Sequence, residues 1–248
     1  MDARTAGRRM TELLNLTSRP VAVTFTATAP AGVPRVAKAG PAGCAYWKQA
    51  AEGAVFYTEA ADHYNCPVGS FTHGIALPPE RAKELEDVVG TMVGLQYIRM
   101  EEVGALPRRT TPFQVAIYAP LAETPAPPDV VLVRGRARQI MLVAEAARAA
   151  GIAGDGATMG RPACAMIPAV LGGPTGVTSL GCIGNRVYTG LGDDELYFTI
   201  PGPKIGEVVE RLETVMDANR ALRRTTRGAG RPSRPSPRRG ERGSVIGL

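Results

Sequence analysis

Aromatic residues make up only 5% of this 248-residue chain, and histidine occurs twice. No apolar run approaches the ~20 residues needed to cross a bilayer, and the amino terminus has no apolar signal core. The four cysteines include no pair with the two-residue spacing of redox and zinc motifs. These absences argue against a membrane protein and a local chelating motif. We therefore expect a cytoplasmic protein whose cysteines are reduced.

The net charge of +6 is unevenly distributed along the chain. Positions 220–248 contain nine arginines and one acidic residue, so this tail carries +8 and the remaining body −2. The tail repeats Arg-Pro-Ser and Arg-Gly elements and has no apolar periodicity. We therefore predict a globular domain at 1–219 followed by a disordered tail at 220–248. Nucleic acid, if bound at all, is expected to contact only this tail.

The order of apolar patterns predicts a single layered domain of the α/β or α+β class, with a mixed sheet. A C-terminal antiparallel meander is predicted, with a tight hairpin at Gly184-Asn185 and a second turn at 192–194. The other predicted elements are a helix at 5–16, strands at 21–26 and 54–58, helices at 45–52 and 78–92, strands at 113–118 and 130–133, and helices at 136–150 and 203–219.

Both histidines, His63 and His73, lie close to Cys66 in the sequence and bracket it. Histidine and thiolate side chains bind soft metals and carry out nucleophilic chemistry near neutral pH. We predict a short helix beginning at Pro67, capped by Asn65 or Cys66, whose backbone N–H groups would favour the Cys66 thiolate. Cys66 is therefore a candidate catalytic nucleophile, with either histidine as its base and these N–H groups as an oxyanion hole.

The four cysteines, Cys44, Cys66, Cys164 and Cys182, are candidate ligands of one shared cofactor. An iron–sulfur cluster is the leading candidate because four thiolates are its usual ligand set. The separations of 22, 98 and 18 residues require the fold to assemble such a site from separate loops. Zinc bound by Cys66, a histidine and other cysteines is an alternative. The structural alternative is that several cysteines are small buried hydrophobes, scattered through the core.

Other residues near these cysteines have both a functional and a structural interpretation. Arg186, predicted on the hairpin turn, is a candidate substrate-binding residue for a carboxylate or phosphate, or a surface arginine. The acids at 193–195 resemble metal ligands, although acids at turns are usually solvated. Tyr46 and Trp47, next to Cys44, would line a pocket or pack against the following helix. The glycine-rich loop Gly154–Gly160 matches neither nucleotide-binding fingerprint and is interpreted as a flexible connection, with phosphate binding as the alternative.

Several short motifs occur in a defined order across about residues 5–216. They are Arg19-Pro20-Val21-Ala22-Val23, Cys44 before a helix ending in Gly, Tyr57-Thr58 leading to Cys66-Pro67-x-Gly69, Pro128-Asp129-Val130-Val131, the Gly-rich loop before Cys164, Leu180-Gly181-Cys182-x-Gly184-x-Arg186, and Asp193-Asp194-Glu195-Leu196 running into Ile200-Pro201. In this order the motifs resemble the DUF169 family of uncharacterised bacterial and archaeal proteins. The resemblance implies one domain over this span. Each cysteine falls inside a matching stretch, whereas the histidines belong less clearly to the pattern.

Two classes of function follow from these residues. The first is a cysteine-centred site that binds an iron–sulfur or other metal cofactor and supports redox or sulfur-related chemistry. The second is a non-catalytic protein that binds a small ligand or a partner and whose cysteines are simply buried. A small-molecule ligand is expected, and the two classes differ in whether at least three cysteine sulfurs converge.

Overall fold

The structure is a computed structural model that describes residues 1–154 and 162–229. Within these residues the helices are α1 (Ala3–Leu14), α2 (Gly43–Ala51), α3 (Pro67–Thr72), α4 (Pro79–Gly94), α5 (Met100–Gly104), α6 (Ala137–Ala149), α7 (Met166–Leu171), α8 (Ile183–Thr189) and α9 (Ile205–Ala229). The strands are β1 (Val21–Thr26), β2 (Phe56–Glu59), β3 (Val115–Pro120), β4 (Val130–Arg136), β5 (Ala153–Gly154), β6 (Thr175–Ser179) and β7 (Glu195–Pro201). The predicted loop Gly154–Gly160 lies outside the described residues except for Gly154.

The described strands form one mixed sheet in the order β2-β3-β1-β4-β7-β6-β5. Strand β1 lies near its centre, where Val21 pairs with Pro120 of β3 and Leu132 of β4. Pairings between the named strands are antiparallel except for β5 with β6, which is parallel. The predicted α/β class, with a mixed sheet, antiparallel C-terminal strands and a closing helix, is confirmed.

Helices cover both faces of this sheet, and strand alternation assigns each apolar residue to one face. Along β4, Val131 and Val133 pack into a cluster with α1, α6 and α9. Val130 and Leu132 point the other way and pack with residues of α2 and α7. Each fully buried side chain of this kind stabilises the fold by roughly 1.5–3 kcal/mol. The cysteines belong to the second cluster, so the candidate site lies entirely on one side of the sheet.

The hairpin predicted at Gly184-Asn185 is wrong. These residues lie in α8, which begins after its N-terminal cap Cys182. Its C-terminal cap is Gly190, a left-handed residue with φ 66°. Caps at both ends favour a helix here over the tight turn that Gly-Asn would otherwise form. Strands β6 and β7 still pair antiparallel, but a helix rather than a two-residue turn connects them.

The closing helix is longer than the sequence predicts. It was expected to end at 219 and instead continues to Ala229. Its inner face packs through Val208, Val209 and Leu212 against α1 and α6, whereas residues 220–226 are exposed to solvent. The remainder of the arginine-rich tail, residues 230–248, lies outside the described part of the chain.

Candidate functional site

Each of the four cysteines lies at the beginning of a helical segment. Cys44 is in the first turn of α2, and Cys66 is the residue that caps α3. Cys164 lies in a short 3-10 turn, Ala163–Ala165, that leads into α7, and Cys182 caps α8. Cys44 and Cys164 are buried, whereas Cys66 and Cys182 are partly exposed. We call these four residues the cysteine quartet.

The segments that carry the quartet contact one another: α2 packs against α3 and α8, and α3 packs against the turn that holds Cys164. The pKa of the Cys44 thiol is raised to about 12, mainly by burial and to a smaller extent by the neighbouring Cys66 and Cys182. Burial also raises the pKa of Cys164 well above its usual range, with added contributions from Cys66, Cys182 and Cys44. The sheet and its helices therefore bring together residues up to 98 positions apart in sequence. The four cysteines thus lie on one side of the sheet, Cys44 and Cys164 within one apolar cluster and Cys66 and Cys182 packed against it.

The sulfur of Cys66 accepts the backbone N–H of Gly69 at 3.3 Å, and Pro67 is the first residue of α3. The short helix that the sequence predicts at Pro67, with Cys66 as its cap, is present. A Cβ atom at position 69 would lie 2.9 Å from this sulfur, so glycine is required for the close approach. The backbone N–H of Cys66 donates to the carbonyl of His63 at 2.9 Å and fixes the turn before the helix.

The sulfur of Cys182 is held in the same way at α8. It accepts the backbone N–H of Asn185 at 3.4 Å. The Asn185 side chain is 1% exposed and faces the Cys44 thiol, where it moderates the pKa of that cysteine. Neither its Nδ2 nor its Oδ1 completes a hydrogen bond within the described residues. A buried, unpaired amide is uncommon in proteins, so Asn185 offers an unused donor and acceptor beside the quartet.

The two histidines are buried beside the quartet and are electrically neutral. Burial lowers the pKa of His63 to about 3, with a further contribution from His73, and burial lowers that of His73 to about 4. His63 Nε2 forms a hydrogen bond with Thr58 Oγ1 at 2.9 Å. His73 Nδ1 lies 2.9 Å from the Gly69 carbonyl and must carry the proton, because a carbonyl only accepts.

These contacts bear on the predicted catalytic pair of Cys66 with a histidine. The two rings stack with 6.0 Å between centroids. The His63 Nε2 and His73 Nδ1 bonds go to Thr58 and Gly69, and among the hydrogen bonds of the described residues none joins either ring to the Cys66 sulfur. His73 Nε2 is buried and unpartnered among the described residues. Nucleophilic catalysis by Cys66 would therefore require a histidine to reorient.

Arg186 lies on α8, not on a hairpin turn, and its guanidinium is used within the protein. It donates to the carbonyls of Gly192 at 3.1 Å and Leu180 at 2.7 Å. Asp193 lies 3.5 Å from the same guanidinium. These contacts tie the two ends of the segment around α8 together. The substrate-binding role predicted for Arg186 would compete with these bonds.

The adjacent acids are also paired with arginines. Asp194 contacts Arg136 at 3.0 Å, and Glu195 forms an ion pair with Arg134. Among the described residues, no group of three or more His, Cys, Asp or Glu side chains is spaced to hold a metal ion. This finding includes the acids at 193–195 and the quartet as they stand.

Sequence reasoning missed Asn185 and Thr72 as members of the site. Asn185 was interpreted as a turn residue. The signal that could have found it is its place three residues after Cys182, a residue able to cap a helix. Thr72, the last residue of α3, is fully buried and lies beside the Cys164 thiol, where it moderates the pKa of that cysteine. Its hydroxyl donates to the Gly69 carbonyl at 2.9 Å.

Comparison with known proteins gives one match. The family model of DUF169, described as an uncharacterised ArCR, matches residues 9–211. No curated protein and no solved structure matches the chain. Among the helices of the described residues, none combines the length and apolar character needed to span a membrane.

Proposed function

Because the chain belongs to the DUF169 family and gathers four cysteines at one place in its fold, we propose that the quartet binds an iron–sulfur cluster and supports redox chemistry. The observation that carries this proposal is that the four cysteines, which come from four separate segments, lie in or against one apolar cluster whose helices contact one another. Four thiolates are the usual protein ligands of such a cluster. Four free thiols also suit a reducing compartment such as the cytoplasm.

The electrostatics of the quartet favour the binding of a metal cation. Metal ligation requires thiolates, but burial and neighbouring thiols oppose ionisation of Cys44 and Cys164. Bound iron is cationic and would favour the ionised form of every cysteine around it. In the cluster-free protein, burial keeps Cys44 and Cys164 as neutral thiols. A bound metal core would offset this effect, because its positive charge stabilises the thiolates.

A four-iron cluster and a single zinc ion place different demands on the spacing of the quartet. Zinc holds each thiolate sulfur at ~2.3 Å, so its four sulfurs would lie within about 4 Å of one another. The described side chains are not spaced in this way. In a four-iron cluster each thiolate binds a different iron atom, so the ligand sulfurs stand farther apart. The proposal therefore requires ligand sulfurs that are spaced more widely than those of a zinc site.

Two kinds of hydrogen-bond donor in the site would affect the reduction potential of a bound cluster. The N–H bonds of Gly69 and Asn185 to the sulfurs of Cys66 and Cys182 place positive dipoles against the ligands. The unpaired amide of Asn185 adds a further donor next to Cys44. Hydrogen bonds to sulfur and burial are the main means by which a protein sets the reduction potential of such a centre. The site is therefore suited to holding an electron.

The test is anaerobic purification of the full chain, followed by a visible absorption spectrum and analysis of iron, zinc and acid-labile sulfide. We expect a brown protein with about four iron and four sulfide per chain, or the same after reconstitution with ferrous iron and sulfide. Cys66→Ser should lose the cluster while it keeps an oxygen acceptor that can cap α3. Val177→Ala is the matched control, because it loosens the same apolar cluster and removes no ligand.

Three results would overturn the proposal. One is a protein that stays colourless and iron-free after reconstitution. Another is a stoichiometric zinc ion in place of iron. The last is retention of iron and sulfide by Cys66→Ser at the level of Val177→Ala, which would show that the quartet does not provide the ligands.

A second candidate function is supported by the burial of Cys44 and Cys164. A thiol with a pKa of about 12, as at Cys44, is neutral at physiological pH and packs as a small apolar side chain. On this alternative the protein binds a small ligand or a partner without chemistry at the quartet. An iron-free protein of undiminished stability would favour it.

A further inference from the structure

A cavity of about 210 Å³ opens beside α2 on the cysteine side of the sheet. Its inner wall is apolar and is formed by Val21, Trp47, Leu132 and Tyr197. The Trp47 and Tyr197 rings meet edge to face with 5.7 Å between centroids. A flat or branched apolar group of modest size would fit against this wall.

The rim of the cavity carries two cationic side chains whose present partners a ligand could replace. Arg19 and Lys48 line it, with side chains 50% and 46% exposed, and the carboxylates of Glu52 and Glu195 line it as well. Arg19 contacts Glu123 at 3.1 Å, and Lys48 contacts Glu52 at 3.8 Å. Exposed ion pairs of this kind contribute little to stability, so a ligand carboxylate would compete with the two glutamates at low cost.

A third cation of the lining, Arg134, is committed to the protein. Its guanidinium pairs with Glu195 and donates to the backbone carbonyls of Thr189 at 3.1 Å and Gly190 at 2.6 Å. It therefore shapes the floor of the cavity and leaves Arg19 and Lys48 as the cations available to a ligand.

The cavity is connected to the cysteine quartet through two helices. Trp47 follows Cys44 by three residues on α2, and Thr189 follows Asn185 by four on α8, which is about one helical turn, or ~5 Å, in each case. The Tyr197 hydroxyl donates to Thr189 Oγ1 at 3.3 Å, and this oxygen donates to the Asn185 carbonyl at 2.7 Å. One short hydrogen-bonded path thus joins the cavity wall to the residue that faces Cys44.

We propose that this cavity binds a small carboxylate with an apolar body. Arg19 and Lys48 contact the carboxylate, and the body packs against Trp47 and Tyr197. The inference goes beyond the proposed function, because the cavity is complete without a metal cluster. It lies about one helical turn along α2 from Cys44, so the cavity and the quartet share one helix.

Isothermal titration calorimetry of the full chain with sodium benzoate tests the proposal. We expect saturable binding at one site, and at least tenfold weaker binding of benzyl alcohol, which has the ring but no charge. Lys48→Ala and Arg19→Gln should each weaken benzoate binding about tenfold, as loss of a charge-assisted hydrogen bond does. Lys83→Ala is the matched control, since Lys83 is exposed and pairs with Asp87 four residues later, as Lys48 does with Glu52.

A second measurement locates the ligand. Trp47 is the single tryptophan of the chain, so its emission reports on the cavity wall. In the Cys66→Ser variant, saturating benzoate should shift this emission, and this result would support the cavity whether or not the wild-type protein carries a cluster. The proposal is overturned if benzoate does not saturate, if Lys48→Ala and Lys83→Ala bind it equally well, if inorganic phosphate binds as tightly as benzoate, or if Trp47 emission does not respond.

Discussion

The backbone N–H of Asn185 donates a hydrogen bond to the sulfur of Cys182 over 3.4 Å. Gly69 and Cys66 repeat the arrangement at 3.3 Å. In each case the donor is the third residue of a helix, whose N–H has no partner within that helix. The two partly exposed cysteines are thus fixed by the helix ends that they cap, which orients their sulfurs before anything binds.

This arrangement predicts different effects for serine and alanine at Cys182. Serine keeps an acceptor for the Asn185 N–H, whereas alanine leaves that donor unpaired. We expect Cys182→Ala to have a free energy of unfolding about 1 kcal/mol lower than Cys182→Ser. Urea denaturation of the cluster-free variants measures the difference.

The same pair of substitutions at Cys44 provides the control. Cys44 does not cap its helix, so a buried serine hydroxyl gains no capping bond there. In an Asn185→Leu background, where no amide faces position 44, Cys44→Ala should be at least as stable as Cys44→Ser. A serine variant that is more stable than the alanine variant at both positions would contradict the capping interpretation.

The two capped helices also show how far the sequence predicts this fold. The segment at α3 was predicted because Pro67 is typical of a first helical position, and Cys66 could cap it. The segment at α8 was not, because Gly184-Asn185 between apolar residues is the stronger pattern for a hairpin. Strand β1 was predicted with its observed bounds, Val21–Thr26, because β-branched and apolar residues there follow a proline.

The candidate site was predicted in its residue types but not in its assembly. Cysteine chemistry alone was enough to single out the quartet. Convergence of Cys66 and Cys164 depends on sheet order and helix placement, which local patterns do not contain. The bonds of His63 to Thr58 and of His73 to Gly69 likewise follow from burial, which spacing along the chain does not specify.

Replacing Asn185 with leucine tests whether its amide serves a ligand. In the cluster-free protein the substitution removes a buried, unpaired amide and keeps the backbone N–H to Cys182. We therefore expect the free energy of unfolding to rise by about 1 kcal/mol. In the loaded protein, loss of a donor beside the sulfurs should lower the reduction potential.

Urea denaturation and a spectroscopic redox titration measure the two effects. Asn65→Leu is the control, because Asn65 precedes Cys66 but is exposed, and both quantities should stay unchanged. A large loss of stability in cluster-free Asn185→Leu would show that the amide serves the fold and not a ligand.

The buried histidines predict a loss of stability in mild acid. Their pKa values in the folded protein, about 3 for His63 and about 4 for His73, lie below the unfolded value near 6.5. As the pH falls below about 6.5, the histidines bind protons in the unfolded chain but stay neutral in the folded protein. The free energy of unfolding therefore decreases. Each histidine contributes at most about 1.4 kcal/mol per pH unit, until the pH approaches its folded pKa.

Urea denaturation at several values between about pH 7.5 and pH 5 measures this slope. Because the chain contains only these two histidines, His73→Gln should remove about half of the histidine contribution. A slope that is the same in wild type and in His73→Gln would contradict burial of a neutral His73.

Alkylation rates distinguish the shared site from separate buried thiols. In the cluster-free protein, iodoacetamide should modify Cys66 and Cys182 first, because they are partly exposed. Cys44 and Cys164 should react far more slowly, because they are buried and their raised pKa leaves little thiolate. Loading with iron and sulfide should then protect Cys66 and Cys182 together, which peptide mass spectrometry would detect. If loading protected one of them and left the other as reactive as before, the two could not ligate the same cluster, because coordination to iron lowers the nucleophilicity of a thiolate and slows its alkylation.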